Sequence, residues 1–225
     1  LAGHGRSSHR SMDSSYDIWI DIGEVIAVAD QMGWERFALL GHSRGAIISG
    51  LIAGTFPDRV TQVALIDGYV PMPHDADNAA KQVMKAIREN KRFGGASPTH
   101  FPDFDRAIQA RVNGFVPLQL EAATLLANRG VAEGPRGYYW ANDQRLKAAS
   151  FVKFSKEHLE GFFTAIIARV LLIQAENSAF SPDRQQSELF DWVPHMQIQK
   201  MPGSHHLHLE DEAKQVAKTI QEFFV

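Results

Sequence analysis

The sequence contains no cysteine, which removes disulfide staples, thiol nucleophiles and thiolate metal sites together. It has no excess of either charge. Its 23 Lys and Arg stand against 26 Asp and Glu, a formal charge of −3, so no polycationic surface is expected for a nucleic acid. No apolar run reaches the roughly 20 residues that a membrane span needs. No basic segment followed by an apolar one opens the chain, so a secretory leader is not expected. These absences describe a soluble, cytoplasmic protein with neither nucleic-acid nor membrane partners. What is present is ordinary globular usage, 44% hydrophobic and 22% charged over 225 residues. That length suits one large domain with an insertion.

The hydrophobic pattern divides the chain. Apolar residues recur at helical spacing over 16–33, and Gly33 is a stop signal. Phe37-Ala38-Leu39-Leu40 is a short, wholly apolar run, the pattern of a parallel strand covered on both faces. A helix from 46 to 55 and a second strand from 60 to 66 follow, closed by Asp67-Gly68. Strand, helix and strand within about thirty residues make a βαβ unit with a right-handed crossover. Between 69 and 165 the pattern becomes helical (79–90, 104–112, 118–128, 155–167), with Pro and Gly between the helices and no convincing strand. A buried-strand pattern returns at 169–175 and a weaker one at 195–201. An amphipathic helix over 211–224 closes the chain. The expected architecture is α/β: a parallel-rich sheet flanked by helices, built from 1–68 and 166–225, with a helical cap at 69–165.

The chemistry concentrates in Gly41-His42-Ser43-Arg44-Gly45, a G-x-S-x-G segment placed between a predicted strand and a predicted helix. A serine on so sharp a turn needs small residues two before and two after it, here Gly41 and Gly45. Ser43 would then open a helix, where backbone N–H groups and the helix dipole favour an oxyanion. The N–H of Arg44 is the expected donor. Serine is a weak nucleophile until a base takes its proton. His205, His206 and His208 crowd the stretch after the last predicted strand, and each could be that base. His42 should point away from the turn and is read as structural. The histidine cluster also admits a metal reading, with His206, His208 and Glu210 as ligands.

These segments together resemble the α/β-hydrolase fold family. Leu1-Ala2-Gly3-His4-Gly5-Arg6-Ser7-Ser8 is similar to its D-x-x-G-H-G-x-S turn. Gly41 to Gly45 resembles its nucleophile elbow, Phe56-Pro57-Asp58-Arg59-Val60 its link to the sixth strand, and His205 to Glu210 its terminal G-H-x-x-H-x-E segment. Within the family, the elbow and the cap look similar to the serine-hydrolase-like proteins. The resemblance implies Ser43 as nucleophile, His205 as base, His208 in support, and no cofactor or metal.

Two departures stand out. The family's usual acid position falls on Ser178, so the acid is expected at Asp67, after the preceding strand, with Glu176 as the alternative. The family sheet also has eight strands, and only the fifth to eighth are legible here. About 60 residues, including the loop with the second oxyanion donor, are therefore expected to be missing, and the strand at 37–40 would lie on an open edge. The implied reaction is cleavage of a carboxylic ester or similar acyl bond in a small-molecule substrate. Phe101, Phe104, Phe115, Tyr138, Tyr139 and Trp140 suggest an apolar acyl or aryl group, although most of them are expected to pack the cap onto the core instead. The alternative is a non-catalytic or cofactor-free protein of the same fold that binds a small apolar ligand.

Overall fold

A computed structural model describes residues 1–178, 180 and 184–225 and, of 184–187, the backbone. Along the chain run α1 (Ile18–Gln31), β1 (Phe37–His42), α2 (Arg44–Thr55), β2 (Val60–Ile66), α3 (Ala79–Gly94), β3 (His100–Phe101), α4 (Phe104–Val112) and α5 (Leu120–Gly130). They are followed by β4 (Val131–Gly134), β5 (Gly137–Trp140), α6 (Lys156–Phe163), β6 (Arg169–Ala175), β7 (Gln197–Met201) and α7 (Ala213–Phe224). Two compact units emerge. One joins Leu1–Asp21 to Asp77–Lys153, and the other joins Ile22–Ala76 to Phe154–Val225.

The second unit holds a four-stranded sheet in the order β1-β2-β6-β7, every neighbouring pair parallel. The registers Gly41↔Leu65 and Leu65↔Leu172 carry one row across the first three strands. Ala64, Ile66, Leu171, Ile173, Ala175 and Met201 form a core with Val216 and Phe223 of α7. Strand alternation turns Val63 and Leu65 to the opposite face, and α2 packs against β1 and β2. Coverage on both sides explains why β2 and β6 show no alternation of apolar and polar residues. Helix α2 is hydrophobic all round because α6 closes on it: a Cβ on Gly54 would lie 2.0 Å from the Phe162 carbonyl oxygen. Strand β1 is an edge of this sheet, and Leu40 upon it is 54% exposed.

The first unit departs from the expected all-helical insertion. Helices α3 and α4 fall where the periodicity puts them, but β3, β5 and β4 form an antiparallel sheet in that order. These strands are two to four residues long, too short for a period-2 pattern to register. Gly134 pairs with Gly137 across a Pro135-Arg136 turn, and Gly137 has φ 97°. The opening residues are tied to this unit by a buried polar knot. The Tyr16 hydroxyl donates to Asp143 Oδ2 at 2.8 Å, and Arg145 donates to both Asp143 oxygens and to the carbonyls of Arg10, Ser11 and Ser14.

Candidate active site

Three strand ends converge within the second unit. Ser43 follows β1, Asp67 follows β2 and His205 lies beyond β7, all at carboxyl ends of the parallel sheet, where open α/β folds place their ligand crevice. His205 and Asp67 are buried, 6% and 4% exposed.

Ser43 occupies φ 53°, ψ −120°, a conformation that non-glycine residues seldom adopt and that costs on the order of 1–3 kcal/mol. Its N–H is held by the Ile66 carbonyl at 2.9 Å, and its own carbonyl accepts the N–H of Ile47 in the first turn of α2. The turn is tight enough that a Cβ on Gly41 would stand 2.3 Å from the Gly45 carbonyl oxygen. Gly45 is different: a Cβ there meets nothing within 4 Å among the described residues, so its smallness is not what this turn demands. The second obligatory glycine is Gly68. A Cβ at that position would come 2.5 Å from the Ser43 carbonyl oxygen and 3.0 Å from its Cα. Sequence reasoning missed Gly68, since its partner lies on another strand end. The expected oxyanion donor, Arg44, is the first residue of α2.

The side chains form a continuous relay. His205 Nε2 lies 2.9 Å from Ser43 Oγ, and Nδ1 lies 2.6 Å from Asp67 Oδ2. A carboxylate can only accept, so Nδ1 carries the proton and the bare Nε2 accepts from the Ser43 hydroxyl. Asp67 itself is over-determined. It has φ 44°, its N–H donates to the Ile173 carbonyl, and its Oδ1 accepts the Ala175 N–H at 3.0 Å. Its Oδ2 also accepts a hydrogen bond from the Ser178 hydroxyl. Burial pushes the Asp67 carboxyl up, but the bonds from His205, Ser178 and Ala175 outweigh it and hold the group below its ordinary value. Ser178, where the family resemblance would place an acid, thus donates instead to Asp67 at the end of the neighbouring strand. Glu176 is exposed, and its backbone N–H donates to the Met201 carbonyl.

The other histidines pack behind the relay. His42 Nε2 donates to the His205 backbone carbonyl at 2.8 Å, so the residue before the serine braces the loop that bears His205. Its ring centroid lies 4.1 Å from that of His208, with the two planes tilted by 42°. Burial, with His208 beside it, lowers His42 to about 3; burial, with His205 beside it, lowers His208 to about 4. Both are therefore neutral near pH 7. Ser204 replaces the usual glycine, and its hydroxyl donates to Glu210 at 2.7 Å, which turns Glu210 to a structural bond. Phe180, another residue sequence reasoning did not single out, rests with its ring centroid 4.6 Å from that of His205. The aromatics expected at the substrate belong to the first unit, where Phe104 packs on Tyr138 and Trp140 Nε1 donates to the Ala107 carbonyl.

A family model of the alpha/beta hydrolase fold matches residues 1–212, and the chain belongs to that family. The human serine hydrolase-like protein 2 is 28% identical over 99% of this chain and 76% of its own length. A serine hydrolase-like protein of Danio rerio is 23% identical over 98% of this chain and 70% of its own. Among solved structures, the hypothetical protein PA1622 from Pseudomonas aeruginosa PAO1 superposes with a TM-score of 0.94 at 38% identity, covering all of this chain and 80% of that one.

Proposed function

We propose that this protein is a serine hydrolase that cleaves a carboxylic ester or similar acyl bond. The observation that carries the reading is the unbroken relay from Ser43 Oγ through His205 to Asp67, with both nitrogens of one imidazole engaged. Ser43 Oγ attacks the acyl carbon while its proton passes to His205 Nε2. Asp67 keeps the Nδ1 proton in place and stabilises the imidazolium that forms. Charge on the carbonyl oxygen meets the N–H of Arg44 and the N-terminus of α2. Collapse of the tetrahedral intermediate expels the alcohol, which takes the proton from Nε2. Water then repeats the cycle on the acyl-enzyme, with His205 again as base, and frees the acid.

The substrate is a small molecule with an apolar acyl or aryl portion, a preference supported by the Phe180 ring against His205. The chemistry calls on no metal or cofactor, because the relay supplies nucleophile, base and orienting acid. The fold hosts many activities, so the argument rests on the site. The family and the serine hydrolase-like relatives agree with it. Short p-nitrophenyl esters test it. The wild type is expected to release p-nitrophenol and Ser43→Ala to lose at least about a thousandfold in turnover. Equal rates in the two proteins would leave the non-catalytic binder as the better description.

A further inference from the structure

The histidines behind the relay form a second constellation that the hydrolytic mechanism does not use. His42, His206 and His208 each offer an imidazole nitrogen, and the three nitrogens lie within 4.8 Å of one another. The sequence suggested His206 and His208 with Glu210. The fold replaces Glu210, engaged by Ser204, with His42 from the elbow. Two details prepare these rings for a cation. His42 donates Nε2–H to the His205 carbonyl, which leaves its lone pair on Nδ1; this is the carbonyl-oriented state in which metal-ligating histidines are held. Nδ1 of His208 is buried and has no hydrogen-bond partner among the described residues, an unmet polar atom in a cluster of like groups.

We infer that His42, His206 and His208 form a binding site for a divalent transition cation of the zinc, nickel or copper type, set directly behind His205. Three imidazole nitrogens suit such ions, while calcium and magnesium prefer oxygen donors. Bonds of about 2.0–2.1 Å require the nitrogens to draw together to roughly 3.4 Å, a small adjustment of ring torsions. Water would complete the coordination.

Binding is measured apart from catalysis. Metal-free wild type and Ser43→Ala are each titrated calorimetrically with zinc chloride, and zinc X-ray absorption counts the imidazoles around the bound ion. The expected result is one zinc per chain in both proteins, three imidazole ligands, and loss of the site in His206→Asn/His208→Asn. Absence of zinc binding to the wild type, fewer than three imidazoles at the ion, or full binding by a folded double variant overturns the site. The absorption count needs no variant, so a double variant that fails to fold leaves the test intact.

Discussion

Asp67→Asn puts the relay under the most specific strain, because asparagine keeps the shape of the side chain and reverses half of its hydrogen bonding. In the native protein Oδ1 accepts the Ala175 N–H, while Oδ2 accepts from His205 Nδ1 and from Ser178. Asparagine can be placed in two ways. If its oxygen stays on the Ala175 N–H, its NH₂ faces His205 and Ser178. The serine hydroxyl can rotate to accept, but Nδ1 can accept only if the ring proton moves to Nε2. If the amide flips, its NH₂ faces the Ala175 N–H, donor against donor in a buried site, at a cost of about 1–3 kcal/mol. The first arrangement is therefore favoured, and it points Nε2–H at Ser43 Oγ, where no proton can then be taken. Loss of the carboxylate also removes the charge that stabilises the imidazolium. Together these predict a fall in kcat of about 10³–10⁴-fold, equivalent to roughly 4–5.5 kcal/mol. The assay is p-nitrophenyl ester hydrolysis, with thermal melting to confirm that the variant is folded. A folded Asp67→Asn within tenfold of wild type would refute the tautomer argument and the role given to Asp67.

Three further outcomes follow from particular contacts. Glu176→Gln should leave kcat within about twofold, since Glu176 is exposed and Asp67 already holds His205; a loss comparable to that of Asp67→Asn in the same assay would reassign the acid. Gly68→Ala should push a methyl group against the Ser43 carbonyl, costing about 1–3 kcal/mol in urea unfolding and about a hundredfold in kcat through displacement of the nucleophile. Wild-type activity in this variant would mean that the elbow yields freely. In the other unit, burial pushes the Asp143 carboxyl up, but bonds from Arg145 and Tyr16 prevail and hold it down to about 2. A depressed carboxyl stabilises the fold fully above the unfolded value of about 3.9 and loses that contribution as pH falls towards 2. Asp143→Asn should thus be less stable than wild type by roughly 2 kcal/mol near neutral pH, and the gap should narrow on acidification. Urea unfolding across that range reads it, and a gap independent of pH would contradict the ionic account.

Much of the architecture was legible because its signals are local. The largely apolar runs at Val60–Ile66 and Arg169–Ala175 are strands with those bounds, since burial on both faces keeps most of their positions apolar. The periodicity over Phe104–Val112 likewise matches α4 residue for residue. The three-stranded sheet of the first unit was illegible because its strands are too short to show a period, although Gly134-Pro135-Arg136-Gly137 is a turn signal that could have pointed to the β4–β5 hairpin. At the site, Ser43 announced itself through its flanking glycines. His205 came from its place in the terminal segment, and nothing local ranks it above His206. Gly68, Ser178 and Phe180 act through partners that only the fold brings close, and no spacing encodes such partners. The sequence marks His42 as structural, but not as the brace between the elbow and the His205 loop that the fold makes it.

The central claim is that the Ser43 hydroxyl is activated by His205. A fluorophosphonate probe, followed by mass spectrometry of the labelled peptide, measures this without knowledge of the substrate. The account predicts a single phosphonyl adduct on Ser43 in the wild type, at least about a hundredfold slower labelling in His205→Ala, and none in Ser43→Ala. An unlabelled wild type, or an equal labelling rate without the imidazole, would contradict it.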